Sequence, residues 1–169
     1  MIIRIRFRTK KSTLARFVHP LSPIPRTAIL APGFKETGTV KVFPSGWNRQ
    51  AARFGPASIA GPIDRLRQLA ATPIPLERGL VAFTYEGQAG LTSEDRELFW
   101  DAFGVPVYEQ LLGRDNRLLA VECDAHCGLH LVDGYQSDAR IETEPCGCGN
   151  ASARIARTPR VFELVELLA

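Results

Sequence analysis

Cysteine is scarce and confined in this chain: all four fall at positions 123, 127, 146 and 148. Long apolar runs are missing, and none approaches the roughly 20 residues that a membrane-spanning helix needs. No apolar core followed by a cleavage site opens the sequence, so the chain is expected to be cytoplasmic with no membrane association. Without a secretory route, clustered thiols point to metal ligation rather than to a disulfide framework. Acidic residues are absent from positions 1–35, which hold eight bases: Arg4, Arg6, Arg8, Lys10, Lys11, Arg16, Arg26 and Lys35. Internal repeats are absent as well.

The 169 residues are 45% hydrophobic, which suits one globular domain or one modest domain with an appendage. The net charge of +3 comes from that basic start, because the remainder carries 13 basic against 18 acidic side chains. A basic arm on an acidic body suits nucleic acid or an anionic surface, and an Arg-rich, acid-poor start also suits an organelle leader. The alternation Ile3-Arg4-Ile5-Arg6-Phe7-Arg8 instead predicts an edge strand whose charged outer face discourages aggregation.

Prolines 20, 23, 25 and 32 make residues 18–33 read as an extended connector. A short strand is expected at 39–43 and a helical turn or two at 48–54. A helix should follow Gly61, with Pro62 at its first position and Ile63, Leu66, Leu69 and Ala70 on its apolar face. The continuous apolar run at 80–85 has the length and composition of a buried parallel strand. Thr92 caps a helix whose early acids suit the positive end of its dipole, whose buried face is Leu98, Phe99, Ala102 and Phe103, and whose end is Gly104. With a strand at 105–108 this makes a βαβ unit. Further strands are expected at 118–122 and 129–132, and residues 161–168 suit strand or helix equally. The expected fold is α/β: a small, mainly parallel sheet with packed helices and a zinc knuckle near the C-terminus. Residues 1–79 form an N-terminal part with the basic strand and Pro-rich connector; residues 80–169 hold the α/β part with the knuckle.

Six soft or borderline ligands sit in two short stretches, Cys123-Asp124-Ala125-His126-Cys127-Gly128-Leu129-His130 and Pro145-Cys146-Gly147-Cys148-Gly149. Zinc favours four such ligands in a tetrahedron, drawn from two chain segments. The Cys-x-Cys spacing is tight, and Gly147 and Gly149 give the backbone freedom to turn both sulfurs toward one ion. Cys146, Cys148 and Cys123 are the expected ligands, with His130 preferred and Cys127 as its alternative for the fourth place. His126 has the weakest case. Four protein ligands close the site, making the zinc structural. A catalytic zinc of the deaminase type is disfavoured, because Pro145-Cys146-Gly147-Cys148 is one residue short of that pattern and His126 lacks the paired glutamate.

From about residue 80 to 160 the order of features resembles the phenylacetate–coenzyme A ligase branch of the adenylate-forming enzymes. The matching stretches are the strand at 80–85, Gly90-Leu91-Thr92-Ser93-Glu94-Asp95-Arg96, Phe103-Gly104-Val105-Pro106-Val107-Tyr108, Glu122-Cys123, Gly128-Leu129-His130 and Pro145-Cys146-Gly147-Cys148-Gly149. The resemblance implies an acyl- or aryl-CoA ligase fold, shortened relative to the family, with zinc at those cysteines. The family's phosphate loop has no counterpart, since Gly33-Phe34-Lys35-Glu36-Thr37-Gly38-Thr39 lacks its serines and glycine density. Tyr108-Glu109-Gln110-Leu111-Leu112-Gly113 stands where relatives place the glutamate that holds magnesium-bound nucleotide, and the domain bearing the catalytic lysine is not found. Positioning and charge stabilisation carry adenylyl transfer, so these departures lead to the expectation of a non-catalytic protein acting through a protein partner or a second copy of itself. Two alternatives stand beside it: part of a split or minimal ligase that binds an aromatic acid or nucleotide, and a zinc-containing nucleic-acid module. Acids around the knuckle (Glu122, Asp124, Asp133, Asp138, Glu142 and Glu144) oppose the last by repelling phosphate.

Overall fold

The computed structural model describes residues 14–156; the strand expected at 3–8 and the segment at 161–168 lie outside them. In chain order the elements are β1 (Thr27–Ile29), β2 (Val40–Val42), α1 (Arg49–Phe54), β3 (Ser58–Pro62), α2 (Ile63–Leu69), β4 (Gly79–Tyr85), α3 (Ser93–Phe103), β5 (Val107–Leu112), β6 (Leu118–Glu122), β7 (Leu129–Leu131), β8 (Ile141–Glu142) and β9 (Arg154–Ile155). One sheet of nine strands takes them in the order β2-β1-β3-β4-β5-β6-β7-β9-β8. It is parallel from β2 through β5 and antiparallel from β5 to β8. The fold is therefore α/β on a mixed sheet, and the sheet is larger than the small one expected.

Local chemistry accounts for the elements that were anticipated. β4 is apolar from Leu80 to Phe83 because both its faces are covered: Leu80 and Ala82 face α2 and α3, while Val81 and Phe83 pack against Phe17 and Phe34 on the other side. The N-cap Thr92 of α3 accepts from Asp95 N–H while the Asp95 carboxylate accepts from Thr92 N–H, a capping box. Gly104 ends that helix at φ 64°. Asn48 caps α1 by accepting from the N–H groups of Gln50 and Ala51.

Four strands lie where none was expected: β1, β3 and the two-residue β8 and β9. β1 runs through the supposed connector at 18–33, and its three residues are fully buried. The prolines at 25 and 32 flank it, so they cost it no ladder hydrogen bond. β3 has small side chains that give little hydrophobic signal; a Cβ on Gly61 would stand 3.1 Å from the Cβ of Leu30, so glycine admits the close packing there. Pro62 consequently closes β3 and occupies the N-cap position rather than the first turn of α2, which begins at Ile63. β5 runs further than anticipated, to Leu112, and carries the buried polar residues Glu109 and Gln110.

Two polar ties hold segments to the sheet. Arg67 of α2 grips both carboxylate oxygens of Asp95 at 2.7 and 2.9 Å, joining α2 to α3 and holding the Asp95 carboxyl below its ordinary range. His19 is buried, with Nδ1 accepting from Leu21 N–H at 3.0 Å and Nε2 3.0 Å from Ser58 Oγ; that hydroxyl donates to the Gly79 carbonyl. The backbone donor on Nδ1 leaves the proton on Nε2. Burial lowers the His19 pKa to about 4. The unfolded chain therefore takes up this proton below about pH 6.5 while the folded one does not, so stability falls as pH drops from about 6.5 to 4. His19 should account for about 3 kcal/mol of that fall. Urea titrations across the window should show the stability gap between wild type and His19→Gln narrowing steadily with acidification.

Candidate metal centre

β6 delivers the first knuckle directly: Glu122 is its last residue and Cys123 follows. A turn closed by His126 N–H on the Cys123 carbonyl at 3.0 Å brings the chain back toward β7. At the return, Gly128 has φ 127°, and a Cβ there would stand 2.5 Å from the Ile155 carbonyl oxygen. Only glycine meets both demands, which presses this knuckle onto β9. Two residues on, His130 is buried in β7. Its Nδ1 lies 3.0 Å from Ser152 Oγ and 3.3 Å from the Ser152 carbonyl, so Nδ1–H donates and Nε2 is left as the ligand nitrogen. The second knuckle is a turn from Cys146 to Gly149, whose N–H donates to the Cys146 carbonyl at 2.9 Å and whose φ is 82°.

These turns gather Cys123, His130, Cys146 and Cys148 so that their four ligand atoms all lie within 4.8 Å of one another. Cys123 Sγ is 3.6 Å from Cys146 Sγ, and Cys148 Sγ is 3.4 Å from His130 Nε2. Zinc–sulfur bonds of about 2.3 Å set tetrahedral edges near 3.8 Å, so the set is spaced for one tetrahedral ion. Asn150 N–H reaches Cys148 Sγ at 3.4 Å, a further donor to a developing thiolate. The backbone N–H of Cys148, helped by the side chains of Cys148, His130 and Cys123, lowers the Cys146 pKa to about 6. Burial pushes Cys123 up to about 11. Cys146 is thus the thiol that ionises more readily, and a cation held here would supply the charge that Cys123 needs to ionise.

The alternative fourth ligand lies elsewhere. Cys127 is exposed, and its thiol donates to the Ala125 carbonyl at 3.2 Å. His126 is outside the set too: its Nδ1 lies 3.1 Å from Glu122 and its ring stacks on Tyr108 with centroids 5.3 Å apart. Tyr108 donates to Asp124 at 3.1 Å, and burial together with that carboxylate pushes its pKa up to about 12. Ser152, which orients His130, was missed from sequence, since an isolated serine 22 residues away in the chain carries no signal.

Beside the centre, α3 and the antiparallel strands enclose an open cleft of about 1500 Å³. Glu122, fully buried, forms one wall, and its two carboxylate oxygens share one terminal guanidinium nitrogen of Arg96 of α3 at 2.8 and 3.0 Å. Glu122 also accepts from Glu109 N–H at 2.8 Å. The segment once compared with a phosphate loop connects β1 to β2 instead, and its Thr37 hydroxyl accepts from the N–H groups of Thr39 and Val40.

No family model matches this chain, and no curated protein does. Among solved structures, a 2-hydroxyisobutyryl-CoA ligase, crystallised in an open conformation with 2-HIB-AMP and CoA, is similar in fold at a TM-score of 0.55. The match covers 77% of this chain and 43% of the ligase at 13% identity, so the chain spans less than half of the ligase's length. Fold and site together define an α/β protein that shares its fold with an acyl-CoA ligase and carries a Cys₃His constellation able to hold a metal ion.

Cys146→Ser should abolish metal binding, read as loss of one metal per chain by native mass spectrometry, and lower the melting temperature by more than about 10 °C. Cys127→Ser should leave both readings unchanged. Ser152→Ala should keep the fold while weakening metal affinity about tenfold in a chelator competition.

Proposed function

We propose that this chain is a zinc-binding domain related to the acyl- and aryl-CoA ligases of the phenylacetate branch, that it is non-catalytic, and that it acts by associating with another protein. The observation that carries the reading is the convergence of Cys123, His130, Cys146 and Cys148. Three sulfurs and one imidazole suit zinc over the hard cations, which take oxygen. A tetrahedron filled by four side chains leaves no position for substrate or water, so the ion's part is to fold the segment around it. That segment needs the help: β8 and β9 have two residues each, and metal binding at such sites stabilises by on the order of 10 kcal/mol. The link to the phenylacetate branch rests on Glu122-Cys123, Gly128-Leu129-His130 and Cys146-Gly147-Cys148-Gly149, and the fold likeness to a CoA ligase supports it. Leu98 and Trp100, both large and exposed on α3, support a role in association. Among the described residues no helix is long and apolar enough to cross a membrane, and a cytoplasmic location is part of the proposal.

A second reading has the cleft in its favour: a split or minimal ligase would use a cavity of this kind for an aromatic acid or nucleotide. Elemental analysis of protein purified without chelator or affinity metal should find one zinc per chain. Calorimetry with ATP and with aryl acids should then give no heat. Saturable heat with either would favour the split ligase, and protein free of metal with four titratable thiols would overturn the zinc reading.

A further inference from the structure

The solvent face of α3 combines features that a free surface has no use for. Trp100 is 57% exposed and Leu98 42%. Glu94, Glu97 and Asp101 are exposed beside them and enter none of the ion pairs among the described residues. Glu97, Trp100 and Asp101 share one helical face at three- and four-residue spacing and line the cleft. Of the carboxylates lining the cleft, Glu97 and Asp101 are exposed, while Glu109 and Glu122 are buried, with Glu122 engaged by Arg96 and His126 beside it. The last turn of α3 contains no basic residue, so Asp101 stands at the negative end of the helix dipole and enters none of the ion pairs among the described residues. A cation brought to this face removes that repulsion.

We infer that this groove docks an arginine-rich segment of a partner protein, a proposal that rests on the association reading and names the partner's chemistry. Charge complementarity fixes the sign and rules out nucleic acid and anionic lipid as occupants. The flat, exposed indole of Trp100 fixes the preference within the cations, because a guanidinium stacks on it while its edge donates forked hydrogen bonds to the carboxylates of Glu97 and Asp101. The dimensions call for a segment rather than a small amine. At about 1500 Å³ the cleft exceeds the usual range for small ligands, about 300–1,000 Å³. The 11 residues of α3 give its wall a length of about 16 Å. The opposite wall, with Leu129 and Ile155, takes the apolar parts of the arginine stems.

The test uses the full chain, metal-loaded and carrying Trp47→Phe so that emission reports Trp100 alone, titrated with a nona-arginine peptide. Saturable change in Trp100 emission is expected, weakened at least tenfold by Glu97→Gln with Asp101→Asn and again between 50 and 300 mM salt. Nona-lysine should bind more weakly, and nona-glutamate not at all. Glu77→Gln, a change in an exposed carboxylate outside the cleft, should leave the titration unaltered. Equal binding by the double variant, or no preference for arginine over lysine, would overturn the proposal. So would a molecular mass that rises with protein concentration and reverts in the double variant, since that places a second copy in the groove. Zinc content and melting temperature of the same samples read the metal centre separately: zinc-loaded, stable protein that ignores nona-arginine sinks this inference alone.

Discussion

Glu122 is the residue on which the two halves of the sheet depend. Its carboxylate has no exposure, yet the Arg96 guanidinium from α3 and the Glu109 N–H from β5 donate to it, and His126 Nδ1 from the following turn lies 3.1 Å away. A buried carboxylate is tolerable only when paired and hydrogen-bonded, and breaking such a pair costs about 3–5 kcal/mol. The next residue along the chain is Cys123. One side chain thus positions the first metal ligand relative to the parallel sheet. A shift of α3 against β5 would be transmitted to the knuckle through a rigid ion pair rather than through a loop.

The sheet changes character at β5, and its source of stability changes with it. From β1 to β5 the strands bury apolar side chains on both faces, with α2 and α3 over one and Phe17, Phe34 and Phe83 over the other. Beyond β6 this double cover ends. Neither cluster holds a residue past Leu118, and the buried residues of the last strands are Leu129, His130 and Arg154. Arg154 spends its NH2 group on Glu142 and the Glu144 carbonyl, which ties β9 to β8 without adding apolar contact. Two-residue strands with so little core lie in the size regime where small folds rely on a metal or a disulfide. The Cys₃His set sits where that need is greatest.

Legibility in the sequence tracked how local the determining physics was. α3 was readable because its cap, acids, the buried Phe99 and Phe103 and the terminal glycine all lie within 13 residues, although Leu98, expected on the buried face, is exposed. β4 was readable because burial on both faces writes itself as an unbroken apolar run. β1 and β3 were not, because what makes them strands is their neighbours: Thr27 pairs with Val40 on one side and Ser58 on the other, and nothing local announces either contact. Glu109 and Gln110 misled in the same way. Polar residues in mid-strand read as the end of burial, yet Gln110 donates to the Val18 carbonyl across 92 positions of sequence. The candidate ligands were visible since cysteine and histidine declare their chemistry without reference to fold, whereas the partner of His130 and the cleft depend on tertiary placement.

That His130 rather than Cys127 falls beside Cys146 and Cys148 follows from strand periodicity. In the register of β6 with β7, Glu122 stands opposite Leu129 and Val121 opposite His130. Glu122 and Leu129 both line the cleft, so His130, one position on, must face the other way. It is there that Cys146 and Cys148 arrive. Cys127 precedes the strand and is set by the turn instead, where the squeeze at Gly128 leaves its sulfur on the cleft side, within reach of the Ala125 carbonyl. Metal centre and groove therefore occupy opposite faces of one corner of the sheet, with Glu122 between them. An ion held by the Cys₃His set would thus stiffen the wall of the groove while contributing no ligand atom to it.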